Sequence, residues 1–335
     1  MKAYVLGGTG YTGGELIRLL TAHPEIDSFK ASSRSKAGEL ISDSHPNLKC
    51  LLDQRFIEYE SSAVDADVVF CCLPHKASMK VLEPLIESGH RVIDLSADFR
   101  FEDEKIYREN YASHACPMLL GEAVYGLPEL YREEIRKTSL VANPGCYATA
   151  AILALLPLMK QRGLDLTRIV VDAKSGTSGA GAKPNVFLNS SETAANLKPY
   201  KVTGHRHQPE IDHILSRLNP DVSVNFTPTL APFTRGIQET IHIFGEPIGD
   251  PRKAYEDHYK NECFVRVVSD SFISNVVHSN FCDIAVFYDE GKRRLVTVSC
   301  IDNLIKGAAG QAIQNMNLML GFKESKGLMQ IPYHP

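Results

Sequence analysis

The sequence predicts an α/β chain in two parts. The first is a doubly wound parallel sheet and the second an α+β part with a mostly antiparallel sheet. Three observations predict this. Lys2–Leu6 is a continuous apolar strand that runs into the glycine turn Gly7-Gly8-Thr9-Gly10-Tyr11-Thr12-Gly13-Gly14 and then a helical stretch, Glu15–Leu20. Apolar strands and helical segments alternate as far as Ala142, the signature of a doubly wound sheet. From Val222 onward, strands follow one another with little helix between them. At 335 residues the chain is long enough for two cores.

Strand, glycine turn and helix in that order are the context a dinucleotide fingerprint requires, so the first part reads as a Rossmann-type domain. Glycines permit the sharp turn and a close approach of the backbone to a pyrophosphate, and the helix N-terminus supplies the anion site. Gly7, Thr9, Gly10, Tyr11, Thr12 and Gly13 are therefore candidate cofactor residues. The next strand, 27–31, ends in Ser32-Ser33-Arg34-Ser35. A site for NAD places a carboxylate there for the ribose 2′-hydroxyl. Ser33, Arg34 and Ser35 instead suit a 2′-phosphate, which favours NADP(H).

Strands follow at 67–73 and 90–95, with a helical period from Ser78 to Ser88 between them. Ligands of such sheets sit at the carboxyl ends of the strands, which adds Pro74 and Ser96 to the cofactor candidates. Arg100 closes Asp94–Arg100 as a cation able to clamp an anion or to pair with Asp98 or Glu102. Residues 101–137, charged and tyrosine-rich with a turn at 125–129, read as an irregular excursion.

The chemistry centres on 140–149. Leu140–Ala142 reads as a strand end, Asn143-Pro144-Gly145 as a turn, and Cys146–Met159 as a helix apolar nearly all round. Cys146 thus stands at a helix N-terminus, where unpaired N–H groups and the macrodipole favour the thiolate. A strand at 168–173 leads into a second glycine and hydroxyl loop, 174–182, able to cradle an anion through Gly176, Ser178 and Gly179. Then comes Gly204-His205-Arg206-His207-Gln208-Pro209-Glu210-Ile211. Pro209 fits the first turn of a helix to Leu218, with Ile211, Ile214 and Leu218 on its buried face. Two histidines two apart in an extended approach point to opposite sides, so one of them reaches the cysteine. His207 is favoured over His205 because Glu210 can orient its ring. No third ligand has a zinc spacing, so no metal is expected.

Strands are expected at 222–230, 236–244, 264–268, 281–288 and 295–301, a helix at 250–262, a cationic loop around Arg235, and a long helix over 303–320 that returns to the first part. The domain expectation is 1–145 with 303–335 for the dinucleotide and 146–302 for catalysis and oligomerisation. A net charge of −4 gives no sign of nucleic acid or an anionic membrane as partner. No stretch is apolar for long enough to span a bilayer, the opening residues read as a strand rather than a signal peptide, and eight cysteines without a paired framework suit a reducing cytoplasm.

Together the Pro-Gly-Cys-Tyr block at 144–147, the His-Arg-His-Gln-Pro-Glu-Ile block at 205–211, the two glycine loops and Asp302–Ala309 resemble the N-acetyl-γ-glutamyl-phosphate reductase family, nearly end to end. That family belongs to the aspartate-semialdehyde dehydrogenase superfamily. The resemblance implies NADP(H), a Cys–His mechanism through a thioester, a small-molecule substrate, and a homo-oligomer, dimer or tetramer. The expected sites are Cys146, His207, His205 and Glu210 for catalysis, with Asn303 joining the cofactor set. Arg100, Asn143, Tyr200 and Arg235 are expected on the substrate. The rival readings are a reductase of an aminoadipyl homologue, free or carrier-bound, and a non-catalytic NADP-binding redox sensor.

Overall fold

The computed structural model describes residues 1–334. It divides into two compact units, Met1–Pro144 with Ala308–Met329, and Gly145–Gly307 with the residues from Gln330 onward. Against the expected boundaries, 303–307 and the tail pack with the second unit.

The first unit holds a six-stranded sheet in the order β2-β1-β3-β4-β6-β5, parallel throughout. Its strands are β1 (Lys2–Leu6), β2 (Ser28–Ser32), β3 (Val68–Cys71), β4 (Arg91–Asp94), β5 (Val124–Tyr125) and β6 (Leu140–Ala142). Every residue of β3 is buried, as a central parallel strand requires. The helices are α1 (Tyr11–Thr21), the single turn α2 (Ile41–Ser44), α3 (Glu83–Glu87), α4 (Glu104–Asn110) and α5 (Pro128–Ile135).

Two expectations change here. The helical period at 78–88 splits into a 3₁₀ turn, Ser78–Lys80, and α3, because Pro84 cannot donate to a preceding turn and is tolerated only at a helix start. The stretch 101–137 is not irregular. Asp103 caps α4 by accepting from the Lys105 amide at 2.8 Å, and Phe101, Tyr107 and Leu120 are buried in the core with Tyr4, Val69 and Val92. The turn expected at 125–129 is the end of β5 and the start of α5.

The second unit begins with α6 (Cys146–Leu155), followed by β7 (Leu164–Ser175), the single turn α7 (Ser190–Thr193), β8 (Lys198–Pro199), α8 (His207–Ser216), β9 (Val224–Leu230), β10 (Ile237–Gly245), α9 (Pro251–Tyr259), β11 (Val265–Val268), β12 (Cys282–Asp289) and β13 (Arg294–Ile301). The strands make one sheet, β11-β12-β13-β10-β7-β9-β8. Its pairs are antiparallel except β11–β12 and β7–β9. Buried from Tyr147 to Leu155, α6 packs against α8, β10 and β13, which explains why its sequence is apolar on all sides. On β10, Ile237, Ile241 and Ile243 are buried, whereas Gln238, Thr240, His242 and Phe244 lie on an open face. In α8, Leu215 is buried with Ile211 and Ile214, while Leu218 lies beyond the helix and is exposed.

The expected helix at 303–320 opens instead with a π-helical turn, Ile305–Ala309, before α10 (Gly310–Met319). Wholly buried, α10 packs in the first unit against α1, α5 and β4.

Candidate active site

Gly145 is the N-cap of α6 in extended conformation, and Cys146 is its first residue. No side chain caps this N-terminus. The amides of the first turn therefore stay available to an anion at the sulfur or beside it. The turn is tied down from α8, where buried Glu210 accepts the Gly145 amide at 2.8 Å. Glu210, expected to orient the His207 ring, thereby also braces the nucleophile turn. Gly307 lies against the same residue, since a Cβ there would stand 2.7 Å from the Cys146 Cβ.

The two histidines do not point to opposite sides. Arg206 already has helical angles (φ −62°, ψ −17°) and α8 starts at His207, so the alternation of an extended chain does not apply. Both rings are buried, with centroids 4.9 Å apart, edge to face. The His207 amide donates to His205 Nδ1 at 3.3 Å, which assigns the proton of a neutral His205 to Nε2. Burial first, then the charges of Arg206 and Lys201, push His205 down to about 4.

Tyr147 meets both histidine rings edge-on, at 5.7 and 5.6 Å, and its hydroxyl lies 3.3 Å from that of Tyr200. Burial raises both phenols above their ordinary range, so both remain protonated hydrogen-bonding groups.

These groups form one wall of a cavity of about 480 Å³ in the second unit. Cys146, Tyr147, Tyr200, His205 and His207 face it, with Ser175 and Gly179 of the second glycine loop. Phe187 and Leu188 supply an apolar side, and Lys198, Lys201 and Arg206 line it as cations. Tyr147, Phe187, Lys198, Lys201 and Arg206 were not singled out from the sequence. Tyr147 and Arg206 had a local signal, their places next to Cys146 at a helix start and between the two histidines.

The rest of that loop and Asn303 are tied into the second unit. Ser178 Oγ accepts from Asn303 Nδ2 at 2.9 Å, and Asn303 Oδ1 accepts the Gly236 amide at 2.7 Å. Gly176 has no room for a side chain, since a Cβ would lie 2.5 Å from the Thr234 carbonyl. Arg235 does not line the cavity; it is ion-paired with buried Asp302 at 3.2 Å.

In the first unit, a cavity of about 340 Å³ opens where strand order reverses, between β1 and β3. Gly7, Ser33 and Arg34 line it, with Tyr59, Leu73 and Val81. Gly7 has φ +78°, a conformation that favours glycine, and a Cβ on Gly13 would come within 2.8 Å of the Gly8 backbone. Gly10 is the N-cap of α1 and borders open space, and Tyr11 and Thr12 begin that helix beside Thr9. This is a cradle that fits a dinucleotide pyrophosphate. Ser35 is exposed next to Arg34, and Pro74 is exposed one residue past Leu73. Ser96 is buried, donating to Asp94 at 2.6 Å and bonded to Ser78 at 2.6 Å.

Arg100 is buried and is held by backbone oxygens: Nε donates to Asn143 at 2.9 Å and Nη2 to Leu95 at 3.2 Å. The Asn143 side chain donates to the Ala308 carbonyl at 3.2 Å and accepts from Asn315 at 3.1 Å. Among the described residues no group of His, Cys, Asp and Glu could hold a metal ion, and no helix is long and apolar enough to cross a membrane.

Residues 2–138 match the family described as semialdehyde dehydrogenase, NAD binding domain, and residues 146–303 match semialdehyde dehydrogenase, dimerisation domain. Among curated proteins, the N-acetyl-gamma-glutamyl-phosphate reductase of Methanopyrus kandleri is 48% identical over 99% of this chain and 98% of that protein. The protein of the same name from Methanosphaera stadtmanae is 46% identical over the same shares. Among solved structures, aspartate semialdehyde dehydrogenase II from Vibrio cholerae, complexed with ASA, shares the fold at TM-score 0.72 and 18% identity, covering 96% of this chain and 98% of that one. Aspartate semialdehyde dehydrogenase with NADP from Candida albicans does so at TM-score 0.71 and 18% identity, over 96% and 98%. The chain therefore belongs to the semialdehyde dehydrogenase family, in its N-acetyl-γ-glutamyl-phosphate reductase branch.

Proposed function

We propose that the enzyme reduces N-acetyl-γ-glutamyl phosphate to N-acetylglutamate 5-semialdehyde and phosphate with NADPH, as a step of arginine biosynthesis, with Cys146 as nucleophile. The observation that carries this reading is Cys146 at an uncapped helix N-terminus, on one cavity wall with two buried histidines. The thiolate attacks the γ-carbonyl carbon; the C–O bond to phosphate breaks and a thioester remains. Amides of the first turn of α6 are placed to stabilise the oxyanion that forms in each half-reaction. Bound NADPH supplies the hydride that reduces the thioester carbon. His207 holds and returns the proton as the thiohemiacetal collapses to aldehyde and thiolate. His205, neutral with its proton on Nε2, serves as a hydrogen-bond donor in the cavity. Arg100 and Asn143 are proposed for the reacting, phosphate end of the substrate, and Tyr200 for orientation within the cavity.

Gly7, Thr9, Gly10, Tyr11, Thr12 and Gly13 would hold the pyrophosphate, and Ser33, Arg34 and Ser35 the 2′-phosphate. In our domain assignment the first unit binds cofactor and the second carries catalysis and oligomerisation. The open sheet face around Thr240, His242, Val296 and Val298 is where we seat a second copy, as dimer or tetramer. A thiol nucleophile fits a reducing cytoplasm.

The test is phosphate-dependent reduction of NADP by N-acetylglutamate semialdehyde. Native enzyme should catalyse it. Cys146→Ser should lose at least about 10³-fold in turnover while still binding NADPH. A serine variant within about tenfold of native rate would remove Cys146 from its role.

A further inference from the structure

The Cys146 cavity collects three cations, Lys198, Lys201 and Arg206, and no carboxylate lines it. Among the described residues none of the three is in an ion pair. Lys198 is half-buried while Lys201 and Arg206 are exposed at the rim, and three unpaired cations around one partly open cavity make it attractive to an anion. They are not equivalent. Lys201 and Arg206 both act electrostatically on His205, so they belong to the reacting end. Lys198 does not act on His205 and lies on the apolar side of the cavity, with Phe187. It sits on the edge strand β8, where antiparallel pairing of Lys198 with Leu230 and Pro199 with Thr229 fixes its backbone. Its Nζ rests 3.2 Å from the centroid of the Phe187 ring, which is itself 54% exposed.

Resting on the acyl-phosphate reading above, we infer that Lys198 is a specificity residue that binds the carboxylate at the non-reacting end of the acyl substrate, with Phe187 as its resting place in the empty cavity. The chemistry favours the exchange. An ammonium over a half-exposed phenyl ring is held weakly, whereas the same ammonium on a carboxylate in a partly closed cavity makes a charge-assisted hydrogen bond. The four-carbon stem lets the head move while β8 stays in place. Once the ammonium leaves, Phe187 and Leu188 present an apolar surface to the rest of the acyl chain, including an N-acyl methyl group. A substrate whose only negative charge is at the reacting end gains nothing from Lys198. Lys198 thus reads the substrate and takes no part in bond making.

The test compares Lys198→Met, which keeps the stem against Phe187, with Lys198→Arg, which keeps the charge. Two aldehydes are used: N-acetylglutamate semialdehyde, and 4-acetamidobutanal, which lacks only the α-carboxylate. Lys198→Met is expected to raise KM for the first aldehyde roughly 10–100-fold, the scale of one charge-assisted hydrogen bond, with kcat nearly unchanged. Discrimination between the aldehydes should collapse by the same factor. Lys198→Arg should retain most of it. KM for inorganic phosphate should not move.

A second readout needs no turnover. N-acetylglutamate should slow iodoacetamide alkylation of Cys146 in native enzyme, and 4-acetamidobutyrate should do so far less. In Lys198→Met the two ligands should protect equally. The inference is overturned if Lys198→Met loses activity equally on both aldehydes, if phosphate KM rises instead, or if N-acetylglutamate protects the variant as well as the native protein. Failure of native enzyme to turn over either aldehyde, with differential protection intact, would sink the acyl-phosphate reading and leave the carboxylate site standing.

Discussion

At the scale of single residues, the site turns on how Cys146 is held. A methyl group on Gly307 would meet the Cys146 Cβ at 2.7 Å, a distance real Cβ atoms do not tolerate. Gly307→Ala is therefore expected to displace the nucleophile and cut turnover by about 10²-fold, the cost of an ångström-scale misplacement. NADPH affinity, measured by fluorescence titration, should stay within twofold, and an unaltered kcat would show that the turn can give way. The histidines permit a sharper separation. With its pKa at about 4, His205 stays neutral across the working range, so His205→Asn should leave the acidic limb of the kcat/KM profile in place. His207→Asn should lower turnover by ~10²–10⁴-fold. A limb that vanishes with His205 alone reverses the assignment. Cys146, both histidines and Arg34 were legible in the sequence because each stands beside a local signal, a helix start or a strand end. The Gly145–Glu210 bond was not, because its partners are 65 residues apart and only the packing of α8 on α6 joins them. Nor was the shared side of the two rings, which depends on α8 starting two residues before Pro209.

At the scale of elements, the glycine turn before α1 has an internal prop. His45 is buried; its Nε2 donates to the Gly8 carbonyl at 2.8 Å, and a Cβ on Gly14 would come within 2.4 Å of its ring. Burial lowers its pKa, which keeps the ring neutral with the proton on Nε2. His45→Ala should loosen the turn and raise KM for NADPH about tenfold with a smaller change in kcat, and His45→Asn should recover part of the loss. Equal falls in kcat and NADPH affinity in both variants would mean general unfolding instead. Strands such as β1, β10, β12 and β13 were readable to within a residue or two, because alternation or continuous burial marks them directly. The order in 101–137 was hidden because it comes from distant partners: the Tyr107 hydroxyl donates to Asp98 at 2.8 Å, and Phe101 is buried against the sheet core. The π-helical turn at 305–309 was equally hidden in a run of small residues that reads as uniform helix.

For the whole molecule, buried titratable groups oppose one another in their effect on stability. Burial raises Asp94 to about 7 from 3.8. The folded state therefore binds a proton that the unfolded chain has released, and this contribution, complete in acid, is lost as pH rises through that interval. His205 runs the other way. Its folded pKa of about 4 lies below 6.5, so its contribution is complete above 6.5 and is lost as pH falls toward 4. His23, His45 and His114, also lowered by burial, act in the same sense as His205. Asp94→Asn should thus gain on the native protein, in urea midpoint, as pH is raised from 4 to 7. A constant difference across that range would show that Asp94 ionises freely in the fold.

The discontinuity of the first unit has a consequence for how the protein is made. A ribosome releases residues 1–144 and then must deliver the entire second unit before Ala308–Met329 emerges. At about 5–20 residues per second that interval is roughly ten to forty seconds. Throughout it, the surfaces of α1, α5 and β4 that α10 covers stay open to water and to other nascent chains. The segment 145–307 is continuous, and its unit then waits only for the short tail from Gln330 onward. The nucleophile-bearing half can therefore assemble most of its core first, while the half with the glycine turn keeps an uncovered apolar face until α10 arrives.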